Sequence, residues 1–294
     1  MENNLYFEKA QKLQSTLLGT IAGGQDGAIS GNCVFRLDDL GNCWVHDLQT
    51  LQQLDHFVLD KIQLLKPHSN AVFFGAERWE ETDEFPVLYT NIYNNYSGEQ
   101  DKKEGMCCVY RILRENNRFS SQLVQVIRIG FVNDGAIWRS ENKEDMRPYG
   151  NFVADAAAGK LHAFVMRDQI HKTRFFRFAL PKITDGVWDA ELGVNVVTLQ
   201  KEDIEQQFDS TYTQIMQGAS CYDGYIYSVE GFDPNTSWGI PALRVFDTNA
   251  QKEVFAVELA QYDLTKEPEF IQIYDNQLYY SDCDGLFCSF RFAD

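Results

Sequence analysis

The sequence lacks any run of about 18 apolar residues, so it contains no stretch that reads as a membrane-spanning helix. It has no C-x-x-C pair. Its five histidines, His46, His56, His68, His162 and His171, show no metal-ligand spacing, and no metal centre is expected. The G-x-G-x-x-G, P-loop and G-x-S-x-G patterns are missing, so neither a nucleotide cofactor nor a serine nucleophile is indicated, and no cofactor is expected. Basic residues are scarce. Lys and Arg number 26 against 43 Asp and Glu, a net charge of −17. Such a surface repels phosphate backbones and anionic lipid, which argues against nucleic acid or a membrane as partner. The opening MENNLYFEKAQKLQ lacks the basic and apolar regions of a secretion signal, and a cytoplasmic location is expected.

Long helical periodicity is also scarce. The two helix candidates are residues 6–17 and KEDIEQQF (201–208). What abounds is aromatic side chains, 14% of the chain with 21 Phe and 14 Tyr, which suit half-buried pleated surfaces. They fall in short alternating or apolar runs separated by Gly, Asn and Asp. The seven cysteines, Cys33, Cys43, Cys107, Cys108, Cys221, Cys283 and Cys288, lie mostly inside such runs and read as buried free thiols. A Cys33–Cys43 disulfide is the alternative, since both flank one apparent hairpin.

A repeat is present. WVHDLQTLQQLDHFVLDKIQLLK (44–66) matches RVFDTNAQKEVFAVELAQYDLTK (244–266) at an offset of 200, pairing Val45 with Val245, Asp47 with Asp247, Leu59 with Leu259 and Lys66 with Lys266. Each copy reads as two strands around a polar turn and then a crossing to a new strand. YDGYIYSVE (222–230) and YDNQLYYSD (274–282) repeat an inner hairpin. Together they predict an all-β fold, a five-bladed β-propeller of four-stranded antiparallel blades in one domain over 1–294. The blades fall at about 24–60, 68–130, 149–199, 214–259 and 267–293. The last has three strands, and its fourth is expected from within residues 4–22.

Counting back about seven residues from four of the inner-hairpin turns reaches Gln25, Asn151, Gln217 and Glu269. Asn70 in KPHSNAVFF holds the corresponding place in blade two, whose turn is displaced by an insertion. In a propeller these positions encircle one end of the channel. They either hold channel water or contact a ligand. The same face receives the long loops 94–105, 131–150 and 231–241, carrying Trp138 and Trp238, which are sugar platforms or plugs between blades. His68, Arg147, Tyr149, Arg167, Asp168 and Glu267 fall on that side too. Carboxylate pairs are what glycoside hydrolysis needs, and Asp26, Glu230 and Glu269 are the catalytic candidates.

The four-strand repeat, the YDGYIYSVE turn and the strand closure resemble five-bladed β-propellers in general, with a similarity in architecture to propeller glycosidases, in which an acidic residue stands near the start of an early inner strand, as Asp26 does here. The resemblance implies the fold, and the polar strand openings with the long loops on their face predict a ligand-binding propeller that recognises a saccharide or other small polar molecule. Glycoside hydrolysis and protein scaffolding are the alternatives.

Overall fold

The computed structural model describes residues 12–92, 105–131, 151–165, 172–211, 216–232, 235 and 239–293. Five antiparallel blades form a five-bladed β-propeller. Blade one is β2 (Gly27–Ser30), β3 (Cys33–Leu37), β4 (Asn42–Asp47) and β5 (Gln53–Val58). Blade two is β6 (Val72–Phe74), β7 (Leu88–Ile92), β8 (Met106–Glu115) and β9 (Arg118–Ile129). Blade three is β10 (Asn151–Asp155), β11 (Lys160–Val165), β12 (Arg174–Ala179) and β15 (Gln206–Asp209). Blade four is β16 (Met216–Tyr222), β17 (Tyr225–Glu230), β18 (Ala242–Asp247) and β19 (Lys252–Glu258). Blade five is β20 (Pro268–Tyr274), β21 (Gln277–Asp282), β22 (Leu286–Ala293) and, from the other end of the chain, β1 (Lys12–Thr20).

The blades are held by five apolar clusters, each spanning neighbouring blades. Phe35, Val45 and Leu88 belong to the first, between blades one and two. Tyr89, Phe152 and Phe176 join blades two and three, Phe175 and Phe246 join three and four, and Val245 and Ile271 join four and five. Val34 and Phe270 close the ring between blades five and one. A strand such as β3, wedged between two neighbours, is buried at every position, whereas the outer strand β5 alternates.

The repeat seen in the sequence holds down to the turns. A register shift falls at Val45/His46 and again at Val245/Phe246. Asp47 Oδ1 accepts from the backbone of Gln49 and Thr50, and Asp247 Oδ1 from that of Asn249 and Ala250. Leu51 and Gln251 both adopt positive φ. The Asp223-Gly224 and Asp275-Asn276 pairs also have positive φ, as tight hairpin turns require.

β1 pairs with β22 from Lys12↔Ala293 to Thr20↔Leu286. The chain then leaves past Gly285, where a Cβ would stand 2.1 Å from the Ile21 carbonyl oxygen. Residues 12–17 are therefore strand and not helix, because pairing with an otherwise open edge outweighs a weak helical period.

Two further expectations are corrected. KEDIEQQF is a short 3-10 turn (Lys201–Asp203) leading into β15, which supplies the outer strand of blade three. Residues 187–199 instead form a hairpin of β13 (Val187–Asp189) and β14 (Val194–Leu199), and β14 runs parallel to β9 on blade two. Leu192, Val194 and Val196 are buried there in the first cluster, so VNVVTL covers what would be blade two's open edge. Cys33 and Cys43 are both buried and free, with no disulfide between them. No helix among the described residues is long and apolar enough to cross a membrane.

Candidate functional site

The inner strands β2, β6, β10, β16 and β20 surround the axis, each touching the next. Within two residues of their starts stand Gln25, Asp26, Asn70, Asn151, Gln217 and Glu269. All are buried except Gln25, which is half-buried. Backbone pairing explains why polar residues can begin these strands. Gln25 donates its N–H to the Leu37 carbonyl, and Asp26 donates its own to the Ser69 carbonyl. Asp26 Oδ2 accepts from the Val72 N–H at 2.9 Å, which ties blade one to blade two.

Side chains meet across the channel. Asn70 Nδ2 donates to Gln217 Oε1 at 3.2 Å, and Gln217 Nε2 donates to Glu267 Oε1. Asn91 Nδ2 donates to Asn151 Oδ1, while Asn91 Oδ1 accepts from the Ala71 N–H at 3.0 Å. Gly218 lets the strands close in. A Cβ there would stand 2.3 Å from the Glu269 carbonyl oxygen and 3.2 Å from Asp26 Oδ1. The strand openings thus form a polar floor.

The floor is electrically unusual. Burial raises the Asp26 pKa well above the usual carboxylate range, against backbone hydrogen bonds and the Arg36 charge. Burial also raises that of Glu269, with the Glu267 charge adding to it and Arg36 opposing. Glu267, half-buried, is pushed up to about 7 by burial. Arg36 is fully buried on β3. Its Nη2 donates to the carbonyls of Gly23 (3.0 Å) and Asp282 (3.2 Å), and its guanidinium lies over the Phe270 ring. Burial lowers its pKa, and the charges of Asp26 and Glu269 oppose that.

Several buried polar atoms of this floor have no partner among the described residues: Gln25 Oε1, Asp26 Oδ1, Asn70 Oδ1, Asn151 Nδ2, Glu269 Oε2, and Nε and Nη1 of Arg36. An unpaired buried donor or acceptor costs about 1–3 kcal/mol, so such groups mark places that water or a ligand completes.

Glu230 lies apart. It ends β17 and binds Arg244, Nε to Oε1 at 2.5 Å, and Arg244 also holds Glu253 at 2.9 Å. Burial raises its pKa to about 7 against the Arg244 charge. Its other charged neighbours are Glu253 and Lys172, whereas Asp26 and Glu269 share Arg36. His68, which leads into blade two, is half-buried near the Asp38 and Asp39 charges of blade one's β3–β4 loop, and burial lowers its pKa. Arg147, Tyr149, Trp138, Trp238, Arg167 and Asp168 lie outside the described residues. Among the described residues no group of three His, Cys, Asp or Glu could hold a metal ion.

Arg36 and Asn91 are members of the floor that the sequence pattern alone does not single out. Arg36 has a signal, a single charge inside the apolar run CVFRL, all five residues of which are buried. Asn91 has none, because its role depends on the neighbouring blade.

No family model and no curated protein matches the chain. Solved structures are similar in fold. The glutaminyl cyclase of Myxococcus xanthus superposes with a TM-score of 0.50 at 9% identity, covering 94% of this chain and 95% of that one. A Thermus thermophilus protein described as a putative oxidoreductase (glucose dehydrogenase) gives 0.51 at 8% identity, covering 95% and 99%. At such identities the likeness concerns the fold alone.

Proposed function

We propose that the chain binds a small polar molecule, a saccharide or a similarly hydroxylated compound, on the floor of the channel. The observation that carries this reading is the set of buried, partnerless polar atoms contributed by four of the five blades. Amides both donate and accept, so the partnerless oxygens of Gln25 and Asn70 and the partnerless Nδ2 of Asn151 offer both roles, as hydroxyl groups require. The net charge of −17 makes an anionic ligand a poor match.

Glycoside cleavage has less support. Asp26 commits one oxygen to the Val72 N–H and Glu230 commits one to Arg244. Both therefore serve the frame. Calorimetric titration with neutral monosaccharides and polyols tests binding. The expected result is saturable heat with at least one of them that is lost in Asn151→Ala. The reading fails if no member of the set binds, or if the variant binds equally well.

A further inference from the structure

At the opposite end of the channel, where the inner strands finish, the fold forms a half-open cavity of about 390 Å³. Its walls come from β6, β10, β16 and β20, and none of the floor residues lines it. The size is that of a small-molecule site, for which a few hundred Å³ is typical.

Three features define what fits. Val72, Phe74, Tyr222 and Ile273 give it an apolar wall. Each inner strand pairs with another strand on one side only, so its other edge faces the axis. Ser220 lines the cavity, and its buried Oγ has no partner among the described residues.

Charge narrows the choice. No Lys, Arg or His lines the cavity, while Asp155 and Asp223 do, so an anion meets only like charge. An ammonium gains little from Asp155, whose Oδ1 accepts from the Ala158 N–H (3.0 Å) and whose Oδ2 accepts from the Gly224 N–H (2.9 Å). Gln272 is committed as well, accepting from the Ile29 N–H at 2.7 Å. These contacts staple blade three to four and blade five to one, and they hold the mouth in shape.

We infer that this cavity is a second binding site, for a small neutral molecule with an apolar body and a single hydroxyl or amide group that reaches Ser220. It is independent of the site on the floor.

Benzyl alcohol and benzoate share a ring and differ in charge, and both serve as probes. Ligand-observed NMR on the full chain measures their binding, and iodoacetamide labelling read by peptide mass spectrometry reports on Cys221, a half-buried thiol of the wall. The expected result is that benzyl alcohol binds, slows alkylation of Cys221 but not of Cys283, and exceeds benzoate by roughly tenfold or more. Ala157→Phe, at an exposed turn position on the cavity wall, removes binding, and Ser220→Ala weakens it several-fold. Asn151→Ala leaves it unchanged, so a failure on the floor does not touch this result. Equal binding of the two probes, an unprotected Cys221, or full binding by both Ala157→Phe and Ser220→Ala overturns the inference.

Discussion

Asn70 and Gln217 are 147 positions apart in the chain and belong to blades two and four, which are not neighbours in the ring, yet Asn70 Nδ2 lies 3.2 Å from Gln217 Oε1. Two amides bonded across the axis mean that the channel is closed at this level. The residues at the strand openings therefore make a floor and not the rim of an open pore.

This bond is testable as a coupling. Asn70→Ala and Gln217→Ala each lower stability, and a double-mutant cycle gives an interaction of about 1 kcal/mol, the usual net worth of a hydrogen bond. Strict additivity in urea unfolding contradicts the contact.

Asp26 yields a pH prediction. Its native pKa is raised by burial, so the stabilisation from its protonated form is complete below the ordinary value of 3.8 and is lost as pH rises through the native value. Asp26→Asn does not titrate and keeps an acceptor for the Val72 N–H. Its stability relative to the wild type therefore improves as pH rises from about 4 toward neutrality. Asp26→Ala strands that N–H and costs about 1–3 kcal/mol. Denaturant titrations at several pH values check both.

Glu230 behaves likewise over a defined window. Its pKa rises from 4.5 to about 7, and burial outweighs the Arg244 charge. Stability contributed by the protonated form is full below about 4.5 and is lost by about 7, to the extent of roughly 3 kcal/mol at most. Glu230→Gln flattens that part of the pH–stability curve. An unchanged slope between those limits removes Glu230 from the account.

Removing residues 1–20 deletes β1 and opens the edge of β22. A fall in Tm of several degrees is expected, together with concentration-dependent association through the new edge. A monomer with an unaltered Tm would show that β1 does not hold the ring closed.

Much of the fold is readable in the sequence because local chemistry repeats. The Asp47 and Asp247 turns repeat between blades one and four, and the positive-φ pairs Asp223-Gly224 and Asp275-Asn276 between blades four and five. Gln25, Asn151, Gln217 and Glu269 follow from counting along those repeats, and Asn70 from the polar start of KPHSNAVFF. What escapes such reading depends on contacts between blades. VNVVTL is apolar on both faces and suits either blade two or blade three, so only packing assigns it. The strand QQFD at 206–209 has too little apolar content to announce itself. The Asn70–Gln217 bond joins distant blades and leaves no local pattern in the chain.

Uptake of a hydroxylated ligand by the polar floor is the proposed activity. Thermal shift with the saccharide and polyol set tests it most directly, since a ligand that binds the folded state raises Tm. A rise is expected for the wild type and for Ala157→Phe, whose change lies at the far end of the channel, and no rise for Asn151→Ala. Identical responses from all three proteins, or no response from the wild type, would contradict it.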